Sequence, residues 1–227
     1  MVKKILAKSY IYLILLIVYA PILLLIAYSF TDSTNIGTWN DFSFKLYSDI
    51  FKNEEIMEAL KNTIIVAISA SIVSTVLGTL GAIGVYYSKA RTREIVNGIG
   101  QIPVLNAEIV TAISLTILFV AFSIEFNFIT LLIGHVILTL PFVYLNVIPK
   151  LKQMDPNIYE AALDLGATPK KALWSVVLPE IMPGVASGFL LSITLSLDDY
   201  IITAFTRNNS FSTLSTYIYG ATAKKGA

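Results

Sequence analysis

Residues 9–31 and 62–88 contain no charged side chain. As helices, both are long enough to cross a hydrocarbon core of about 30 Å, which takes roughly 20 residues. Backbone polar groups in lipid must be paired within the chain, and apolar runs of this length leave the helix as the only spanning form. Composition agrees: 56% of residues are hydrophobic and 14% charged, with a mean hydropathy of +0.73, far from a soluble domain. The expected fold class is therefore all-α integral membrane. With no cysteine, a disulfide frame and a thiolate metal site are both excluded. A net charge of +1, without a basic patch interleaved with aromatics, gives no reason to expect a nucleic-acid partner.

The pattern predicts about five spans, at 9–31, 62–88, 102–122, 126–148 and 181–205, within a single transmembrane domain covering 1–227. The first run is too long for a secretory signal, whose apolar region is about 7–15 residues. Lys3, Lys4 and Lys8 precede it, and Lys89, Arg91 and Arg93 follow the second run. Lys150, Lys152, Lys170 and Lys171 lie in 149–180. The positive-inside rule then puts the N-terminus and the 149–180 loop in the cytoplasm. The polar stretch 32–61 becomes a net acidic outer loop, ending in a capped amphipathic helix from Asn53 to Leu60. In the second span Ser69, Ser71, Ser74, Gly78, Gly81 and Gly84 allow close approach of other helices. A polar tail is expected after Arg207.

The 149–180 loop carries its own punctuation. Asp155 and Pro156 predict a helix over 157–165, stopped by Gly166. Thr168 and Pro169 repeat the device for a second short helix, which Pro179 and Pro183 are expected to separate from the apolar run near Ile181. Within this frame Glu160, Ala161, Ala162, Gly166, Val176, Leu178 and Pro179 resemble the EAA loop of inner-membrane permease subunits of ABC importers, with valine at 176 where isoleucine is usual. The resemblance implies the type I importer transmembrane fold and a coupling role for Glu160, Ala161, Ala162, Gly166, Leu178 and Pro179. It implies four partners: a second permease subunit, an ATP-binding subunit dimer, an extracellular substrate-binding protein and membrane lipid. A sixth membrane helix usually follows a segment like 213–220 in that family, so the usual last span is expected to be missing here.

Carboxylates inside a span cost about 2.5–3.5 kcal/mol at the helix centre and normally face a cavity or a partner. Glu108, Asp198 and Asp199 are the residues to explain. On one helix Asp198 and Asp199 sit about 100° apart, so Ser196 with Asp199 forms one stripe and Thr194 with Asp198 another. His135, alone among apolar residues, reads as a hydrogen-bonded helix packer. No nucleophile–base pair, metal-ligand cluster or G-x-x-x-x-G-K-[ST] loop is present. No catalytic residue is expected, no cofactor is expected to bind this chain, and ATP would be used by the partner. The run SLDDYIIT at 196–203, with LSTYIYG at 214–220, resembles the spermidine/putrescine permease branch of the same family. That branch implies a substrate path of Glu108, Ser196, Asp198 and Asp199 for a polyamine, and it usually has tryptophan where this chain has Leu46. A permease for ferric iron or an organophosphonate is the alternative.

Overall fold

The computed structural model describes residues 2–33 and 38–225, with side chains described over 8–33 and 38–223. The side chains of Lys3, Lys4, Lys224 and Lys225 lie outside the described residues. The chain divides into two compact units, Met1–Met57 and Glu58–Ala227.

The first unit is built on α1 (Val2–Tyr28), an apolar helix carrying Pro21. Its spanning window has no side chain buried within the protein, which suits a surface made for lipid or for another subunit. Beyond it the chain closes on itself through aromatics. Phe30 stacks on Phe42 at 5.6 Å, meets Phe44 edge-on at 5.7 Å and lies 5.6 Å from Tyr47. Tyr47, on α2 (Lys45–Lys52), shares a 2.8 Å hydrogen bond with Ser29. Trp39 lies 6.1 Å from Tyr28, so this loop does hold a tryptophan, seven positions before Leu46. Asn53 closes α2 with its N–H and accepts from Ile56 N at 3.1 Å through its side chain. The expected separate helix from Asn53 to Leu60 is instead the start of α3 (Glu54–Tyr86).

In the second unit, α3 is followed by α4 (Ala90–Leu105), α5 (Glu108–Ala121) and α6 (Phe128–Gln153). The short helices α7 (Asn157–Asp164) and α8 (Pro169–Ala172) lead to α9 (Leu178–Asp198), α10 (Ile201–Thr206) and α11 (Leu214–Lys225). Glycines set the packing. A Cβ on Gly78 of α3 would come within 2.9 Å of Val143 Cγ1, and one on Gly188 of α9 within 3.1 Å of Val143 Cα. Val143 of α6 is thus clasped between two glycine faces, the small-residue approach that membrane helices use. Of the small residues expected to face other helices, Ser71, Ser74 and Gly78 are buried, while Gly81 and Gly84 meet nothing within 4 Å. Val147, Ile148, Leu151 and Met154 continue the α6 core against Ala82, Val177 and Ile181.

Among the described residues four helices are long and apolar enough to span a membrane, or up to five if the bent pair α4 and α5 makes one span. The helices depart from the sequence expectation in four further places. The run at 102–122 is no continuous helix: α4 ends at Asn106, which with Ala107 is extended, and α5 leaves at 103°. Pro103 and the polar Asn106 disfavour continuation there. Pro179 and Pro183 do not separate α8 from the apolar run, because a π turn at Leu173–Val177 joins α8 to α9 in one element, Pro169–Asp198. Leu178 N reaches back five residues to Leu173 O. Pro179, lacking an N–H, then falls where the bonding register has already shifted, so the helix survives it. The run at 181–205 breaks at Asp199, and the polar tail is largely α11.

Candidate functional site

The first part of the site is the break between α9 and α10. Asp199 is extended (φ −61°, ψ 126°) and its carboxylate accepts from Ile202 N at 3.2 Å, Thr203 N at 2.8 Å and Thr203 Oγ1 at 2.9 Å. A short-armed acid that binds the free amides of a new helix start favours this turn over continuing α9. At the other end of α10, carbonyls left without intrahelical donors are taken by threonines of neighbouring helices. Thr116 Oγ1 donates to Phe205 O at 3.0 Å, and Thr130 Oγ1 to Thr206 O at 3.0 Å.

His135 of α6 ties the break down. Its Nδ1 lies 2.7 Å from Ser196 Oγ, its Nε2 2.9 Å from Thr203 Oγ1 and 3.7 Å from Asp199 Oδ2. If the Thr203 hydroxyl gives its proton to Asp199, it must accept from His135, which makes Nε2 the protonated nitrogen and leaves Nδ1 to accept from Ser196. Ser215 of α11 donates to Asp199 O at 2.7 Å. Four helices therefore meet around one buried carboxylate.

The sequence-expected path residues divide by exposure. Asp199 is 6% exposed and Ser196 is buried, both engaged in this network. Asp198, the last residue of α9, is exposed. Glu108 opens α5 just after the 103° bend and is exposed as well. α5 packs along α10, with Thr116 of α5 bonded to Phe205 O, and this places Glu108 at the same end of the bundle as Asp198 and Asp199. Among the described residues no group of His, Asp and Glu is arranged to hold a metal ion.

The second part is the capped segment between α6 and α9. Asp155 Oδ1 accepts from Asn157 N at 2.9 Å and starts α7. Gly166, at φ +85°, stops it. Gly166 N donates to Leu163 O at 2.8 Å and Ala167 N to Ala162 O at 3.1 Å, the pair of bonds that ends a helix through a left-handed residue and favours glycine there. Thr168 caps α8 by accepting from Lys171 N at 3.4 Å, with Pro169 in its first turn. Glu160, Ala161 and Pro179 are exposed, and Ala162 and Leu178 half-buried. The segment is anchored from below: Ile158, Tyr159, Leu173 and Leu178 pack on the α6 core, and Tyr159 lies 5.2 Å from Tyr87 at the end of α3.

Two residues missing from the sequence expectation stand out here. Leu165 is 90% exposed and Trp174 69% exposed, both apolar and both on the segment's surface. For Leu165 the signal is an apolar side chain between Asp164 and Gly166 at a helix stop; Trp174 lies within the apolar run 172–178, where the sequence does not set it apart from core residues.

Residues 74–222 match the family described as binding-protein-dependent transport system inner membrane component. The chain is 34% identical over 219 residues to the spermidine/putrescine transport system permease protein PotC of Escherichia coli, covering 96% of this chain and 83% of that one. It is 33% identical to the Haemophilus influenzae PotC, covering 94% and 83%. With the putrescine transport system permease protein PotI of Escherichia coli it shares 31% identity, covering 89% and 75%. Among solved structures, a chain of a bacterial ABC transporter involved in the import of the acidic polysaccharide alginate superposes with a TM-score of 0.79 at 17% identity, covering 96% of this chain and 79% of that one. The fold is that of type I ABC importer membrane subunits. On the match over 74–222 and the 34% identity to PotC over 219 residues, this multi-pass protein belongs to the family of inner-membrane components of binding-protein-dependent transport systems.

Proposed function

We propose that the chain is a permease subunit of an ATP-driven polyamine importer. The observation that carries this is the pair of exposed acids, Glu108 opening α5 and Asp198 closing α9, at the end of the bundle where α9 breaks, in a chain whose relatives are named for spermidine and putrescine transport. Two exposed acids, with Asp199 holding the turn that presents Asp198, suit a substrate with several protonated amines, and they oppose an anion such as an organophosphonate. Glu108 and Asp198 act as weak sites, since a transported ion must leave as readily as it enters.

In this reading a second permease subunit completes the path, an extracellular binding protein delivers the amine, and a dimer of ATP-binding subunits engages the α7–α8 segment. The N-terminus and that segment face the cytoplasm. Glu160, Ala161, Ala162 and Gly166 form the docking surface, while Leu178 and Pro179 sit where the π turn passes motion on to α9. The chain carries out no covalent chemistry and binds no cofactor. ATP is hydrolysed by the partner.

The test is ATP-dependent uptake of labelled spermidine and putrescine by cells lacking their own polyamine importer and expressing this chain with its partner subunits. Unlabelled amines, ferric iron and phosphonates serve as competitors. The expected result is uptake blocked by polyamines alone and reduced about tenfold or more by Asp198→Asn, the loss of a charge-assisted contact. Uptake blocked by iron or phosphonate instead would overturn the polyamine reading.

A further inference from the structure

Between α3, α4 and α6 lies an apolar groove of about 350 Å³, walled by Gly81 and Val85 of α3, Val96 and Gly100 of α4, and Leu140 and Tyr144 of α6. Its one hydroxyl, that of Tyr144, is already spent on Asn97 Oδ1. A Cβ on Gly81 or Gly100 would meet nothing within 4 Å, so neither glycine serves helix packing, although glycine weakens a helix relative to alanine. One end of the groove is charged. Between Tyr86 and Leu105 the charged residues are Lys89, Arg91, Arg93 and Glu94, and among the described residues none of them makes an ion pair. At about 100° per residue, Arg93 lies on the face of α4 that carries Val96 and Gly100, with Arg91 about 160° away from it. The Arg93 guanidinium sits 5.8 Å from the centre of the ring of Tyr86, the sequence neighbour of Val85. Its Nη2 donates to Tyr86 O and, at 3.2 Å, to Ser88 O. That satisfies carbonyls at the end of α3 but leaves Nε buried with no acceptor among the described residues. A buried donor of a cation is costly without a partner, and an anion at this end supplies one.

We propose that the groove holds an acyl chain of an anionic phospholipid whose phosphate is bound by Arg93. The chemistry of both parts matches. Walls with no polar group left to satisfy accept a hydrocarbon chain, and a guanidinium gives phosphate directed N–H donors where an ammonium gives a point charge. Basic residues at a helix end attract anionic headgroups in general; the buried Nε and the groove beside it turn that attraction into one site. The proposal needs neither the polyamine reading nor a choice of which side of the membrane this end faces. A helix of the second permease subunit seated in the groove is the rival arrangement, and it would leave Nε without an anion.

The test follows the thermal midpoint of the assembled transporter, stripped of lipid in detergent, during titration with phosphatidylglycerol, phosphatidylethanolamine or soluble glycerol phosphate. The expected result is that phosphatidylglycerol raises the midpoint at concentrations where the other two do not, as a ligand of the folded state does. Arg93→Gln should raise the half-maximal phosphatidylglycerol concentration about tenfold, the loss of a charge-assisted contact. Arg91→Gln, on the opposite face of α4, should raise it only about twofold, as removal of an exposed and screened charge does. Gly81→Leu fills the groove and keeps the guanidinium; it should weaken the response as much as Arg93→Gln, and it carries the test if Arg93→Gln loosens the end of α3. An equal response to phosphatidylethanolamine, or equal effects of Arg93→Gln and Arg91→Gln, would overturn the phosphate site. Glycerol phosphate acting as well as phosphatidylglycerol, or a response indifferent to Gly81→Leu, would overturn the chain in the groove. No response to any of the three would overturn the proposal as a whole, the outcome expected of a groove already filled by the second permease subunit.

Discussion

A buried carboxylate survives in a membrane bundle only when donors surround it, and Asp199 has Ile202 N, Thr203 N and Thr203 Oγ1. Its neighbour Asp198 has exposure instead. One peptide unit of extended backbone separates a structural acid from one free to meet solvent. The histidine that supports the turn should matter accordingly. His135→Ala would leave the hydroxyls of Ser196 and Thr203 without their ring partner and open a cavity, costing about 3 kcal/mol. Thermal unfolding of the purified complex checks this, and an unshifted midpoint would mean the network contributes little. Packing supplies a second prediction at this scale. A Cβ at Gly184 would sit 2.8 Å from Asn146 O, a backbone atom that cannot swing aside, whereas one at Gly81 meets nothing within 4 Å. Gly184→Ala should destabilise by about 1–3 kcal/mol and Gly81→Ala hardly at all, read from the same unfolding experiment.

Among the elements, the α7–α8 segment behaves as a rigid tab. Its ends are fixed by Asp155, Gly166 and Thr168, and its inner face is held by the core of α6. Its outward apolar residue Leu165 should be covered by a partner. Leu165→Asp is expected to reduce co-purification of the ATP-binding subunit severalfold while leaving membrane insertion of this chain unchanged, since the side chain touches nothing that holds the fold. Gly166→Val forces a branched side chain into a left-handed backbone at a cost of about 1–2 kcal/mol. Transport should fall while expression persists. The cap residues of this segment were legible in the sequence because a cap is a local event, settled within four or five residues. The π turn was not legible. Two prolines ordinarily stop a helix, and whether the register can shift around them depends on Val177 and Ile181 being buried against α6.

Across the whole molecule, the charge pattern sets an orientation that labelling can check. Lys170→Cys should react with a membrane-impermeant thiol reagent only from the cytoplasmic side, and Glu55→Cys only from the outside. The opposite sidedness would invert the topology and with it the role of the α7–α8 segment. The class, the number of long apolar runs and the acids worth explaining could all be read from the chain alone, because lipid as a solvent imposes the same requirements on every sequence. The shape of the α4–α5 region could not. Pro103 and Asn106 mark a place where a helix can stop, yet the flanking apolar runs do not say that the chain turns by 103° there, because hydropathy reports burial in lipid without reporting direction.

By itself, then, the sequence determined what the solvent and short-range chemistry decide: a helical membrane protein, a punctuated helix pair between two spans, and carboxylates too costly to be idle. The tertiary structure decided which carboxylate is spent. Asp198 and Asp199 are the same residue type at adjacent positions, and no local rule ranks them. The difference arises because His135, brought from 64 positions away on α6, meets Ser196 and Thr203 around Asp199. Such a meeting depends on glycine contacts that seat α9 on α6, and on distances between helices that no single stretch of sequence encodes.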